Sequence, residues 1–138
     1  MLKDVAVIIP TLRRPDSLTR ALRSVMAPTG VEDRLAAVVV VDNDPRATAR
    51  AAVQALKAES AFPLVYRHEP APGVATARNA GLSATDASLI AFLDDDEEAA
   101  PGWLGALLAV QAQTGADVAF GPIRGRVPDA TGWARSYL

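Results

Sequence analysis

The stretch Val5-Ala6-Val7-Ile8-Ile9-Pro10-Thr11 decides the fold, because a β-branched run closed by a proline reads as a short strand with apolar side chains on both faces. Ala37-Val38-Val39-Val40-Val41 repeats the pattern and runs into Asp42 and Asn43. Leu64-Val65-Tyr66, Leu89-Ile90-Ala91-Phe92-Leu93 and Val118-Ala119-Phe120 are shorter stretches of the same kind, so five strands are expected. Between the first two, Asp16-Ser17 opens a helix whose Leu18, Ala21, Leu22, Val25 and Met26 share one face and which ends by Pro28. A second helix is predicted over about Ala47 to Glu59 with Ala49, Ala52, Val53 and Leu56 inward, and a third between Gly73 and Ser83. A fourth covers about Gly102 to Thr114 with Trp103, Leu104, Leu107 and Leu108 inward. Strands alternating with helices require crossover connections. The class is therefore α/β, with a mostly parallel sheet and helices on both faces.

A chain of 138 residues, half of them hydrophobic, is long enough for a single domain, 1–138, with a real core. Its net charge of -2 lacks the broad positive field of a nucleic-acid-binding protein. It has no cysteine, which removes disulfides and thiolate metal sites; a metal must rely on oxygen ligands or on the single histidine, His68. The apolar run that ends at Pro10 is too brief for a signal peptide or a membrane span. A soluble cytoplasmic protein is expected, with peripheral attachment to the inner face of the membrane left open.

In open parallel sheets, ligands bind outside the carboxyl ends of the strands. Thr11, Arg13 and Arg14 follow the first strand, Asp42-Asn43-Asp44 follow the second, and Asp94-Asp95-Asp96-Glu97 follow the fourth, all on one rim. Adjacent carboxylates repel one another unless water screens them or a cation neutralises them, and oxygen ligands of this kind suit Mg²⁺ or Mn²⁺. No Gly-x-Gly-x-x-Gly follows the first strand, and Gly-Lys-Ser/Thr is absent. That argues against a dinucleotide-dependent oxidoreductase, for which Asp42 would be the ribose-binding acid. A serine nucleophile elbow is also missing, as is an aspartate at the end of the first strand for an aspartyl-phosphate mechanism. A site that holds a nucleotide through a metal and side chains fits what is left.

These residues resemble the inverting glycosyltransferases of family 2, which have the GT-A fold, the Rossmann-like architecture of nucleotide-diphospho-sugar transferases. The matching segments are Val7-Ile8-Ile9-Pro10-Thr11, Val40-Val41-Asp42-Asn43-Asp44, Gly73-Val74-Ala75-Thr76-Ala77-Arg78-Asn79-Ala80-Gly81, Phe92-Leu93-Asp94-Asp95-Asp96-Glu97 and Pro101-Gly102-Trp103-Leu104, over about residues 5–124. The resemblance implies a nucleoside-diphosphate sugar donor (UDP- or dTDP-sugar), a Mn²⁺ or Mg²⁺ cofactor, a glycan or lipid-linked acceptor in polysaccharide biosynthesis, and no nucleic-acid partner. It implies that Pro10 and Thr11 face the base or ribose. Asp42 and Asn43 correspond to an acidic pair that recognises uracil and ribose; here the second member is an amide, and an Asx turn is the plainer reading of both. Arg78, with Arg13 and Arg14 as steering charges, meets the diphosphate, although a surface position explains an arginine as well. Of the Asp-x-Asp pair, Asp96 is implied as the direct metal ligand and Asp94 shares the site, while Asp95 contacts ribose or sugar.

The family's general base lies downstream of that pair. Asp117 and Asp129 are the later carboxylates, neither in a matching context, so no base is assigned. The acceptor half is accordingly expected to be short or missing, and a non-catalytic nucleotide-sugar-binding fragment is the alternative. His68, between Arg67 and Glu69, has no metal spacing. Trp133 and Tyr137 read either as an acceptor platform or as apolar residues awaiting a neighbour.

Overall fold

A computed structural model of the protein describes residues 3–27 and 30–125. The elements alternate: β1 (Val5–Thr11), α1 (Pro15–Met26), β2 (Leu35–Asp42), α2 (Arg50–Lys57), β3 (Leu64–His68), α3 (Val74–Leu82), β4 (Leu89–Phe92) and α4 (Trp103–Thr114). The strands form one sheet of order β3-β2-β1-β4 with every pairing parallel. The chain divides into two compact units, Met1–Ala106 and Leu107–Leu138. The sheet belongs to the first.

The strand order locates the ligand-binding edge. From β1 the chain steps outward through β2 to β3, then returns across the sheet to place β4 on the other side of β1. With right-handed crossovers, this reversal puts α3 on the face opposite α1 and α2. Alternation along the strands agrees: Ile8, Val39 and Val41 pack with Ala77 and Ala80 of α3 in one core cluster. Val7, Ile9, Val38 and Val40 point the other way and are equally buried. Leu18, Ala21, Leu22 and Val25 of α1, with Val53 and Leu56 of α2, supply the buried helical faces, and those two helices touch. β1 and β4 meet where the strand order reverses, with the helices after β1 and before β4 on opposite faces, which opens a crevice at the carboxyl ends of those two strands.

Register brings the polar residues level there. Thr11 lies opposite Asp42, and Asp42 opposite His68, so three strand ends finish on one line. At the other end of β1, Arg34 donates two hydrogen bonds to Asp4, at 3.0 and 2.6 Å, and holds its carboxyl below the usual range.

Two expectations shift. The second helix begins at Arg50 rather than Ala47, because Ala47 takes a left-handed backbone (φ 54°) as its amide donates to the Asp44 carbonyl at 2.8 Å. Val118-Ala119-Phe120 forms no strand among the described residues, and Val118 and Phe120 are 66% and 91% exposed. Three apolar residues between Asp117 and Gly121 are too short a run, with too few ladder bonds, to hold a strand by themselves. In the second unit, α4 ends at Gly115, whose φ of 65° is the left-handed stop that glycine adopts without steric cost.

One glycine sets how closely α3 approaches the sheet. A Cβ on Gly81 would lie 2.5 Å from Ile8 Cγ2 and 3.1 Å from Val41 Cγ2. Gly81→Ala is therefore expected to cost about 1–3 kcal/mol by overpacking the core. Urea unfolding should show a lower midpoint at unchanged slope, and a wild-type midpoint contradicts the packing described.

Candidate functional site

The crevice is a cleft of about 360 Å³ lined by Pro10, Thr11, Leu12 and Arg14 after β1, Asn43 after β2, Gly73, Val74, Ala77 and Arg78 at the start of α3, and Asp94, Asp95 and Asp96 after β4. Of the residues singled out from sequence, Pro10, Thr11, Asn43, Arg78, Asp94, Asp95 and Asp96 thus converge. Asp42 and Arg13 do not line it.

Asp95 is buried, and its partners explain why. Its Oδ2 accepts from the Thr11 hydroxyl at 2.9 Å, its Oδ1 from Arg14 Nη1 at 3.3 Å, and its carbonyl from the Ser17 hydroxyl at 2.6 Å. The β4 loop is thereby fastened to the loop after β1. Alternation then leaves Asp94 and Asp96 outward, with side chains 52% and 60% exposed. Each meets a guanidinium: Arg78 Nη2 lies 3.3 Å from Asp94, and Arg14 Nη1 lies 3.1 Å from Asp96. Glu97 closes the turn by accepting from the Asp94 amide at 3.1 Å. Arg78 also stacks over the Phe92 ring at 5.4 Å, and its Nε is buried without a hydrogen-bond partner.

Asp42 faces inward and is fully buried. It accepts from the amides of Asp44 (3.1 Å) and Ala49 (2.9 Å) and from the Tyr66 hydroxyl (2.9 Å), which uses its carboxylate to shape the β2–α2 turn. Burial, and then the bond to Asp42, push the Tyr66 hydroxyl above its ordinary value. Arg13 carries a left-handed backbone (φ 57°) and directs Nε to Asp44 Oδ1 at 3.4 Å. His68 Nε2 contacts the Asp44 carbonyl at 2.8 Å, which ties the end of β3 to the turn after β2.

Among the described residues no group of three or more His, Asp or Glu side chains is gathered to hold a cation. The chemistry of the cleft nonetheless fits Mg²⁺ or Mn²⁺, because such ions take one or two carboxylates and complete their octahedron with water and substrate phosphate. Asp94 and Asp96 are the two accessible carboxylates, with arginines beside them for the anion. Arg14, expected as a steering charge, also lines the cleft, as do Gly73, Val74 and Ala77 of the family-matched segment, which the return crossover delivers to the reversal point. Leu12 carried no signal in the sequence and lines the cleft because it directly follows β1.

The model of the family described as "Glycosyl transferase family 2" matches residues 6–138. The chain belongs to this family. It is 40% identical to the succinoglycan biosynthesis protein ExoM of Rhizobium meliloti over 127 residues, 91% of this chain and 41% of that protein. A validoxylamine A glucosyltransferase of Streptomyces hygroscopicus subsp. limoneus is 33% identical over 112 residues, 78% of this chain and 24% of its own length. The chain thus spans less than half of these curated relatives. In fold it superimposes on the mannosyltransferase PcManGT of Pyrobaculum calidifontis, solved with GDP-Man and Mn²⁺, with a TM-score of 0.72 at 24% identity over 79% of this chain and 32% of that one. S. aureus TarS in complex with UDP gives a TM-score of 0.70 at 21% identity over 82% of this chain and 33% of that one. These likenesses establish the GT-A fold.

Asp44 offers a pH test of the turn beneath the cleft. Burial raises its carboxyl, but donors from the Thr48 hydroxyl, the Arg46 amide and Arg13 outweigh that and hold it below its ordinary value. A depressed folded value contributes stability that is present above the unfolded value of about 3.9 and is lost as pH falls through the folded one. Asp44→Asn should flatten the fall in urea midpoint between about pH 5 and about pH 3. A variant that tracks the wild-type acid dependence contradicts this.

Proposed function

We propose that this chain forms the donor-binding part of an inverting, divalent-metal-dependent glycosyltransferase that uses a nucleoside-diphosphate sugar. The observation that carries the reading is the cleft at the β1/β4 reversal, where Asp94 and Asp96 stand exposed beside Arg14 and Arg78. Neighbours of the same fold are solved with UDP, UDP-GlcNAc, and GDP-Man with Mn²⁺, which supports a nucleotide-sugar ligand of this class. UDP- and dTDP-sugars are the donors proposed.

Asp96, with Asp94, would hold Mn²⁺ or Mg²⁺, which when bound supplies positive charge against the leaving diphosphate. Arg78 and Arg14 bring fixed positive charge to the same anion. Thr11 and Pro10 form the wall for ribose and base, and Asn43 Oδ1, which accepts from the Gly73 amide at 3.2 Å, keeps a second lone pair that can accept from a base imide. Asp95 acts through the loops it joins, and Asp42 through the turn it shapes. In the transfer, an acceptor hydroxyl oxygen bonds to the anomeric carbon as the bond from that carbon to the diphosphate oxygen breaks on the opposite face. The acceptor proton passes to a general base to which we assign no residue. Asp117 lies in the second unit, and Asp129, Trp133 and Tyr137 lie outside the described residues.

The acceptor class that accords with ExoM's printed role is a growing polysaccharide or its lipid-linked precursor. No described helix is long and apolar enough to cross a membrane. We propose a cytoplasmic transfer, with the inner face of the membrane as the alternative site.

Thermal unfolding with UDP and Mn²⁺ tests the site. Nucleotide and metal together should raise the midpoint by several degrees, and Asp96→Ala should remove the metal-dependent part. An unchanged shift in that variant rejects its assignment. Hydrolysis of UDP-sugar under the same conditions distinguishes an active transferase from a domain that only binds the donor.

A further inference from the structure

Asn43 occupies the position where the family resemblance implies an acid, and its amide is already committed. Nδ2 donates to the carbonyls of Glu69 and Ala71, both at 2.7 Å, and Oδ1 accepts from the Gly73 amide at 3.2 Å. Two carbonyl oxygens facing one end of the side chain fix that end as the NH₂, since only it can donate. The segment that receives these bonds is Glu69-Pro70-Ala71-Pro72-Gly73. Prolines at 70 and 72 delete two backbone donors and hold the residues before them extended, so the loop is poorly equipped to satisfy its own carbonyls. Glu69 and Ala71 are those two preceding residues. The loop then enters α3 through Gly73, whose φ of 123° suits glycine alone. Asn43 is meanwhile anchored by its own amide, which donates to the Thr11 carbonyl at 2.9 Å.

We propose that Asn43 is a positioning residue: it clamps the proline-bearing β3–α3 loop to the end of β1 and so sets where Gly73, Val74, Ala77 and Arg78 stand in the cleft. An aspartate fails in this place because an ionised carboxylate has no hydrogen to give and sets negative oxygen against two carbonyl oxygens. Once protonated, it regains one donor. The clamp is a property of the folded chain; only its consequence for nucleotide binding rests on the proposed donor site.

The test compares wild type, Asn43→Asp and Asn43→Ala in the 138-residue chain, reading amide hydrogen exchange at Ala71 and Gly73, with Val39 in the sheet as the folding control. Near neutral pH, protection at Gly73 should fall about tenfold or more in both variants while Val39 keeps its own. As pH is lowered through about 4, where an aspartate takes up its proton, the aspartate variant should recover protection relative to wild type and the alanine variant should not. UDP affinity with Mn²⁺ should fall about tenfold in the aspartate variant near neutral pH and recover along the same profile, each value taken relative to wild type at that pH. Wild-type protection at Gly73 in the aspartate variant overturns the proposal. So does a loss that is equal in both variants at every pH. If the aspartate variant loses the Val39 control, Asn43→Ala alone decides by whether Gly73 is exposed while the sheet holds. If wild type binds no nucleotide, the donor-site reading fails while the exchange data still judge the clamp.

Discussion

A buried carboxylate joins the two strands that the topology pulls apart. β1 and β4 are neighbours, but the chain reaches β4 only after stepping out to β3 and back, so their following loops are fixed to each other by contacts across the crevice. Asp95 does so through the Thr11 hydroxyl, Arg14 and the Ser17 hydroxyl. Buried charge is tolerated only when its lone pairs are answered, and these donors all come from the far side of the crevice. Because Asp95 is held inward, the alternation of the chain turns Asp94 and Asp96 out together. The accessible acids of the cleft are a geometric consequence of the inaccessible one.

Much of this was legible in the chain. The β-branched runs at Val5–Ile9 and Ala37–Val41 announced strands buried on both faces, helix periodicity located α1, α2 and α4, and α3 falls between Gly73 and Ser83 as expected. Because ligands bind at the carboxyl ends of such strands, Thr11, Asn43 and the acidic run could be gathered on one rim before any coordinates, and the family resemblance added Arg78. What the chain did not disclose is direction. An aspartate that reads a ligand and one that ties a turn look alike in sequence, and Asp42 proves to serve Ala49, Asp44 and Tyr66. Asp95 and its two neighbours are the same letter with opposite exposures. Val118-Ala119-Phe120 had the composition of a strand, but three residues are too few to hold one.

The departure at Asn43 shows how a residue can be fixed by a loop distant in sequence. Prolines 70 and 72 remove donors from one segment, and the amide that replaces them sits after another strand. Read alone, each is an ordinary turn residue. Together they specify an amide where the resemblance led one to look for an acid, which ties the chemistry at the cleft wall to the backbone content of the β3–α3 loop.

The arginine–aspartate pairs carry a thermodynamic corollary. Arg14 against Asp96 and Arg78 against Asp94 leave the empty cleft close to charge balance. In the donor site we propose, a divalent cation arriving by itself would have to displace positive charge from the acids that hold it, and a bare diphosphate would have to approach those acids. Cation and diphosphate entering as one complex would let the guanidinium groups exchange one anion for another without stranding either sign. Occupancy by the two would then be a reciprocal coupling, in which the affinity for each rises by the same factor when the other is present.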